Sequence, residues 1–133
     1  MATQSTELTR DQLAALPASY FKAVDAQDVD GIVSHFADDA TLTVQTDHVT
    51  FNGADEIRRM FADFVSNSNS IFHEIKNIVV EEAASKVATE QSYIGELTDG
   101  SRNDMHNCNF FDVRPDGLFS RVIIWMAGTN PLK

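Results

Sequence analysis

From residue 71 to residue 127 the chain consists of four long runs in which apolar and polar residues alternate. The runs cover 71–82, 86–97, 102–113 and 119–127, and three short breaks separate them: Ala83-Ala84-Ser85, Thr98-Asp99-Gly100 and Pro115-Asp116-Gly117. Alternation with a period of two is the mark of a strand with one buried face, and breaks this short join neighbours as hairpins. The second half of the chain is therefore expected to form a four-stranded antiparallel meander. A single sheet with one apolar face must bury it against something else.

The first half supplies the cover. Thr9 and Gln12 have capping-box spacing for a helix start. Leu13, Leu16, Tyr20 and Val24 then recur at helical intervals, with Phe21 widening the stripe. Asp28 can cap a second short helix through Phe36, after which 40–44 reads as a strand and 45–48 as its end or a turn. Asn52-Gly53 breaks the chain, and 55–65 reads as a third helix with Ile57, Phe61, Phe64 and Val65 on its buried side. Residues 66–70 are all Ser and Asn and read as a loop. Three helices followed by a meander make an α+β fold. Residues 1–7 are expected to be a disordered tail, and 8–133 one domain.

Charge narrows the partners. Twenty acidic residues against ten basic give a net charge of −10, which opposes binding to the phosphates of nucleic acid or to anionic membrane surfaces. No apolar run approaches the roughly 20 residues that span a bilayer, and the polar N-terminus lacks the blocks of a signal peptide. Cys108 is the single cysteine, so no intrachain disulfide forms. The expectation is a soluble cytoplasmic protein without nucleic-acid or membrane partners.

Several side chains can do chemistry. Tyr20 lies on an apolar helix stripe and reads either as a core tyrosine or as a phenol donating a hydrogen bond into a pocket. His73 sits on the face of its strand that also holds Ile71, Ile75, Asn77 and Val79. It is either a satisfied core histidine or a general base. Asp25, at the edge of the helix stripe, is either solvated or the carboxylate that orients His73. Asn107 and Asn109 share a face with Met105, Phe111 and Val113, and two amides on an apolar face must find partners. They line a cavity or a wet subunit contact, while His106, Cys108 and Phe110 point the other way. Trp125 reads as packing or pocket wall. His35, His48, His73 and His106 are scattered, with no metal-binding spacing, and neither a metal nor a cofactor is expected. Asp38-Asp39 reads as a solvated turn before the first strand.

Residues 20–41, YFKAVDAQDVDGIVSHFADDAT, resemble the start of SnoaL-like and ketosteroid isomerase-like proteins of the nuclear transport factor 2-like superfamily. Tyr20, Ala23, Ala26, Asp28, Asp30, Gly31, Ile32 and Val33 match that pattern, with Gln27 as a departure. The resemblance implies a cone-shaped curved antiparallel sheet wrapped around three N-terminal helices, with one deep apolar pocket. It casts Tyr20 as oxyanion donor and Asn109 as the counterpart of a second donor. The isomerase's general base, however, falls on Val44, which cannot take a proton. The chain also resembles the scytalone and bile-acid dehydratase-like branch, in which Asp25 and His73 fall on a paired aspartate and histidine. A second histidine of that branch is missing near Thr89–Gln91, where Gln91 or Tyr93 fills the space.

These resemblances imply a cofactor-free isomerase, dehydratase or cyclase acting on a small hydrophobic carbonyl compound of polyketide, terpenoid or steroid-like type. His73, Asp25 and Tyr20 would be catalytic; Asn109, Asn107, Gln91, Tyr93, Phe61 and Trp125 would bind substrate. The alternative is a non-catalytic ligand-binding or protein-interaction module of the same fold, such as a dioxygenase β subunit. The resemblance also implies a homodimer, and the outer sheet face of Cys108, Phe110 and Ile123 could pair the two subunits.

Overall fold

The structure is a computed structural model that describes residues 7–127. Of the expected tail, residues 1–6 lie outside the described residues. Helix α1 (Arg10–Asp25) leads into a one-turn helix α2 (Val29–Val33), strand β1 (Phe36–Val44), a single 3₁₀ turn and strand β2 (Val49–Asn52). Helix α3 (Gly53–Ser66) then precedes β3 (Ser68–Glu81), β4 (Lys86–Leu97), β5 (Arg102–Val113) and β6 (Phe119–Trp125). The six strands form one curved, unclosed sheet in the order β2-β1-β6-β5-β4-β3. Strands β3 to β6 are the expected antiparallel meander. The sheet as a whole is mixed, because β1 joins parallel to β6 and β2 then pairs antiparallel with β1.

Local chemistry explains the helix starts. The Thr9 hydroxyl accepts from the Gln12 N–H at 3.2 Å while the Gln12 side chain accepts from the Thr9 N–H at 2.8 Å, completing the capping box. Asp28 accepts from the Gly31 N–H at 3.0 Å and caps α2. Helices α1 and α3 lay Leu13, Tyr20, Phe21 and Val24, and Ile57, Met60, Phe61 and Phe64, into the concave side of the sheet. There they meet Leu42, Val44, Val87, Phe111, Phe119 and Val122 in one continuous core. Among the described residues no helix is long and apolar enough to cross a membrane.

The structure corrects several sequence expectations. Strand β1 begins at Phe36 and contains a bulge before Thr41, so Asp38 and Asp39 are exposed within an irregular strand and not in a turn before it. Strand β2 has no counterpart in the sequence reading, because its four residues are too few for a visible period. The polar stretch 66–70 joins the sheet from Ser68, because strand pairing and a hydrogen bond from the Ser68 hydroxyl to the Phe64 carbonyl (2.7 Å) satisfy it. A register shift between Ile75 and Asn77 inverts the later parity of β3. Ile71, His73 and Ile75 face inward as read, but Ile78 and Val80 replace Asn77 and Val79 against the core.

Val79 is 65% exposed. Val79→Ser is therefore expected to change unfolding free energy by no more than about 0.5 kcal/mol, and Val80→Ser to cost about 1–2 kcal/mol. Urea denaturation checks this; an uninterrupted β3 would give the opposite ranking.

Candidate functional site

The end of α1 delivers the site's carboxylate. The helix closes in a Schellman turn, with the Gln27 N–H on the Val24 carbonyl (2.9 Å) and the Asp28 N–H on the Ala23 carbonyl (3.1 Å). Gln27 occupies the left-handed position of that turn at φ 57°, where glycine is usual, at a cost of about 1 kcal/mol or more. Its side-chain amide donates to the carbonyls of Ser68 (2.9 Å) and Val65 (3.3 Å).

Strand β3 is an edge of the sheet, and α1 covers that edge. Asp25 Oδ2 accepts from the His73 backbone N–H at 2.9 Å, and Oδ1 meets His73 Nδ1 at 2.6 Å. A carboxylate only accepts, so the ring proton lies on Nδ1 and the neutral imidazole carries its lone pair on Nε2. The His73 ring packs against two others: Phe21 stacks at 4.7 Å and 25°, and Tyr93 lies tilted at 5.2 Å and 31°. The side chains of His73 and Asp25 are only 11% and 23% exposed. Within the described residues Nε2 has no hydrogen-bond partner, and the ring lines the cavity.

A second polar group faces it from the middle of the sheet. Thr89, Gln91, Asn107 and Asn109 are all buried on the inner face, where Gln91 pairs with Asn107 and Thr89 with Asn109. The Thr89 hydroxyl donates to Gln91 Oε1 (2.7 Å), and Gln91 Nε2 donates to Asn109 Oδ1 (2.9 Å). The Ala127 N–H donates to Asn107 Oδ1 at 3.1 Å. Both asparagine oxygens are thereby occupied, and among the described residues neither Nδ2 group has an acceptor. The two amides present N–H donors to the cavity they line.

Tyr20 is 3% exposed and is surrounded by the rings of Phe21, His35, Phe36, Phe61, Phe111 and Phe119. Burial pushes its phenol far above the usual range. It stays a neutral donor, and no described residue accepts from it. Tyr93 is also buried, and desolvation raises its phenol against a smaller opposing effect of the Asn103 side chain. Asn103 does not reach hydrogen-bonding geometry, and among the described residues the Tyr93 hydroxyl has no partner. The Tyr93 ring lies over Gly95, where a Cβ would stand 2.3 Å from the hydroxyl oxygen.

The cavity is lined by Tyr20, Phe21, Val24, Phe61, Phe64, His73, Gln91, Tyr93, Asn107, Asn109, Ile124 and Met126. It encloses about 390 Å³ with its mouth, but the centre of a water molecule can move in only about 30 Å³ of it. Of the expected site residues, Tyr20, Phe61, His73, Gln91, Tyr93, Asn107 and Asn109 line this cavity, and Asp25 stands behind His73. Trp125 is the exception. It is 48% exposed and paired with Cys108 on the outer face, because the register that sets Ile124 opposite Asn109 turns Trp125 outward. Phe21, Val24, Phe64, Ile124 and Met126 complete the lining without being expected there, although Phe21 and Val24 belong to the helix stripe that signals them.

The other histidines are occupied elsewhere. His35 is held between the Ser19 hydroxyl and the Gly31 carbonyl, each at 2.8 Å. His106 lies on the outer face as expected and bonds Glu90 at 2.5 Å. With Asn77 it holds the Glu90 carboxyl below its usual range. Among the described residues no group of three or more His, Cys, Asp or Glu side chains could hold a metal ion.

Comparison with known proteins agrees with the fold. A family model described as SnoaL-like domain matches residues 18–122. A candidate aromatic ring hydroxylase of Novosphingobium aromaticivorans is 25% identical, with a TM-score of 0.82 over 92% of this chain and 96% of that one. The BvnE pinacolase of Penicillium brevicompactum is 16% identical, with a TM-score of 0.79 over 88% and 86%. An LEH-like epoxide hydrolase of M. tuberculosis is 14% identical, with a TM-score of 0.76 over 88% and 84%. No curated protein matches the chain by sequence.

The chain has two tyrosines, and the fold raises both phenols. A raised folded-state pKa favours the neutral form, so the unfolded chain ionises first. Stability is full below the ordinary value of 10.0 and falls as pH rises through it. Ultraviolet titration of the native protein at pH 10 is expected to show little tyrosinate, and Tyr20→Phe is expected to flatten the alkaline loss of stability seen in urea melts.

Proposed function

The chain belongs to the SnoaL-like domain family, and from that premise we propose that its cavity moves a proton on a small, hydrophobic, carbonyl-bearing substrate. The observation that carries the proposal is the Asp25–His73 pair, which leaves Nε2 as a base facing an apolar hollow. His73 Nε2 takes a proton from the carbon next to the substrate carbonyl. Asp25 holds the ring in its tautomer and stabilises the imidazolium that forms. Charge then develops on the carbonyl oxygen, and the N–H donors of Asn107 and Asn109 and the neutral Tyr20 hydroxyl are suited to bind it. Protonation elsewhere on the enolate migrates a double bond, loss of a β-leaving group dehydrates the substrate, and attack on a second carbonyl cyclises it.

The narrow hollow favours small substrates over steroid-sized ones, which would need Phe61, Phe64 or Met126 to move. The same narrowness supports a second reading, a module that binds a small ligand without chemistry. The outer sheet face suits a second copy of the chain: Phe110 and Trp125 are each 48% exposed, Val79 65%, and the polar groups among them are already bonded to one another. The single exposed Cys108 is compatible with a reducing cytoplasm.

Exchange with solvent tests the proton step whichever product forms. A panel of small hydrophobic ketones and enones incubated with the protein in D2O is expected to take up deuterium beside the carbonyl, as followed by NMR. His73→Ala is expected to slow uptake about 10²–10⁴-fold, and Asn109→Ala about 10²–10³-fold, in variants that still fold with a Tm lowered by about 5–10 °C, since each leaves a buried partner unpaired. Exchange undiminished in His73→Ala would remove the histidine from the chemistry. Saturable binding with no exchange across the panel would favour the binding module.

A further inference from the structure

We infer that Gln27 is a positioning residue for the Asp25–His73 pair, and that it stands in place of a turn glycine because its side chain straps the end of α1 to β3. The inference rests on the proposed role of that pair, and it assigns Gln27 no contact with substrate.

Among the described residues Asp25 alone hydrogen-bonds α1 to β3, through the His73 backbone N–H and ring, and the Phe21 ring adds only a non-directional contact with the imidazole. A single tie is a hinge, about which the helix end can swing and open the Oδ1–Nδ1 bond. Gln27 adds a second tie just past the end of α1, from its amide to the Ser68 carbonyl at the start of β3. The same amide reaches the Val65 carbonyl at the end of α3, so three elements meet on one side chain. The Ser68 carbonyl lies at a register irregularity between β3 and β4. A non-glycine residue in a left-handed conformation is an unfavourable local choice, and here it coincides with the only side-chain amide that links these three segments among the described residues. Glycine would suit the turn better and would supply no strap.

Gln27→Gly separates the two effects. It keeps the turn at no steric cost and deletes the amide. Gln27→Asn also tolerates the turn, but its amide is one methylene short of both carbonyls. The readout is the exchange with water of the His73 Nδ1 proton, followed by NMR in the full chain and assigned by its loss in His73→Ala. Both variants are expected to fold with a Tm within about 5 °C of wild type. In both, Nδ1 proton exchange is expected to accelerate at least about tenfold, while amide exchange in the middle of α3 is unchanged. Where turnover is measurable, kcat should fall with KM held. Nδ1 exchange within about twofold of wild type in a folded variant would overturn the inference. So would failure of both variants to fold, since Gln27 would then hold the fold and not the pair. A loosened pair in a protein that exchanges no ketone proton would uphold the positioning role and remove only the catalytic reading.

Discussion

The hydrogen-bonded contact between Asp25 and His73 is the constraint on which the rest of the site depends. It joins the last residue of α1 to an edge strand, and so it sets where the helix end lies over the sheet. The same carboxylate satisfies a backbone N–H of that edge and selects the ring tautomer. Removing either partner would leave a poorly solvated group unpaired, which is costly, so the pair is held closed by structure as well as available for chemistry. Phe21 stacks on the imidazole and the tilted Tyr93 ring packs beside it, while Nε2 carries no hydrogen bond among the described residues.

Opposite this base, the sheet solves a second problem in a way that favours function. Four polar side chains on the inner face would be expensive if unpaired. Thr89, Gln91 and Asn109 satisfy one another in a chain, and the Asn107 oxygen is satisfied by the Ala127 N–H just past the end of β6. Each arrangement uses the asparagine oxygens and leaves nitrogen donors over. One hollow thus holds a lone pair together with N–H and O–H donors, which is the combination that the proposed proton transfer on a carbonyl compound requires.

Much of this was legible in the sequence because it follows from periodicity and capping. The four meander strands, the Thr9–Gln12 box and the inward faces of Tyr20, His73, Asn107 and Asn109 come from local patterns that the tertiary structure preserves. What was not legible depends on register. The shift after Ile75 turns Asn77 and Val79 outward without any glycine or proline to announce it. Trp125 has the composition of a pocket wall, and only its pairing with Cys108 sets its face. Gln27 reads as a mismatch to the SnoaL-like pattern, since its reason is a pair of carbonyls far along the chain, at Val65 and Ser68. The width of the hollow depends on how Phe61, Phe64 and Met126 pack together, which no one-dimensional pattern records.

The most direct measurement is the tautomer of His73 in the neutral state, read from the ¹⁵N shifts of its two ring nitrogens. The geometry requires a pyrrole-type, protonated Nδ1 bonded to Asp25 and a pyridine-type Nε2 free toward the hollow. A protonated Nε2 with a bare Nδ1 would mean that the carboxylate does not hold the ring, and the base at the centre of this site would not exist.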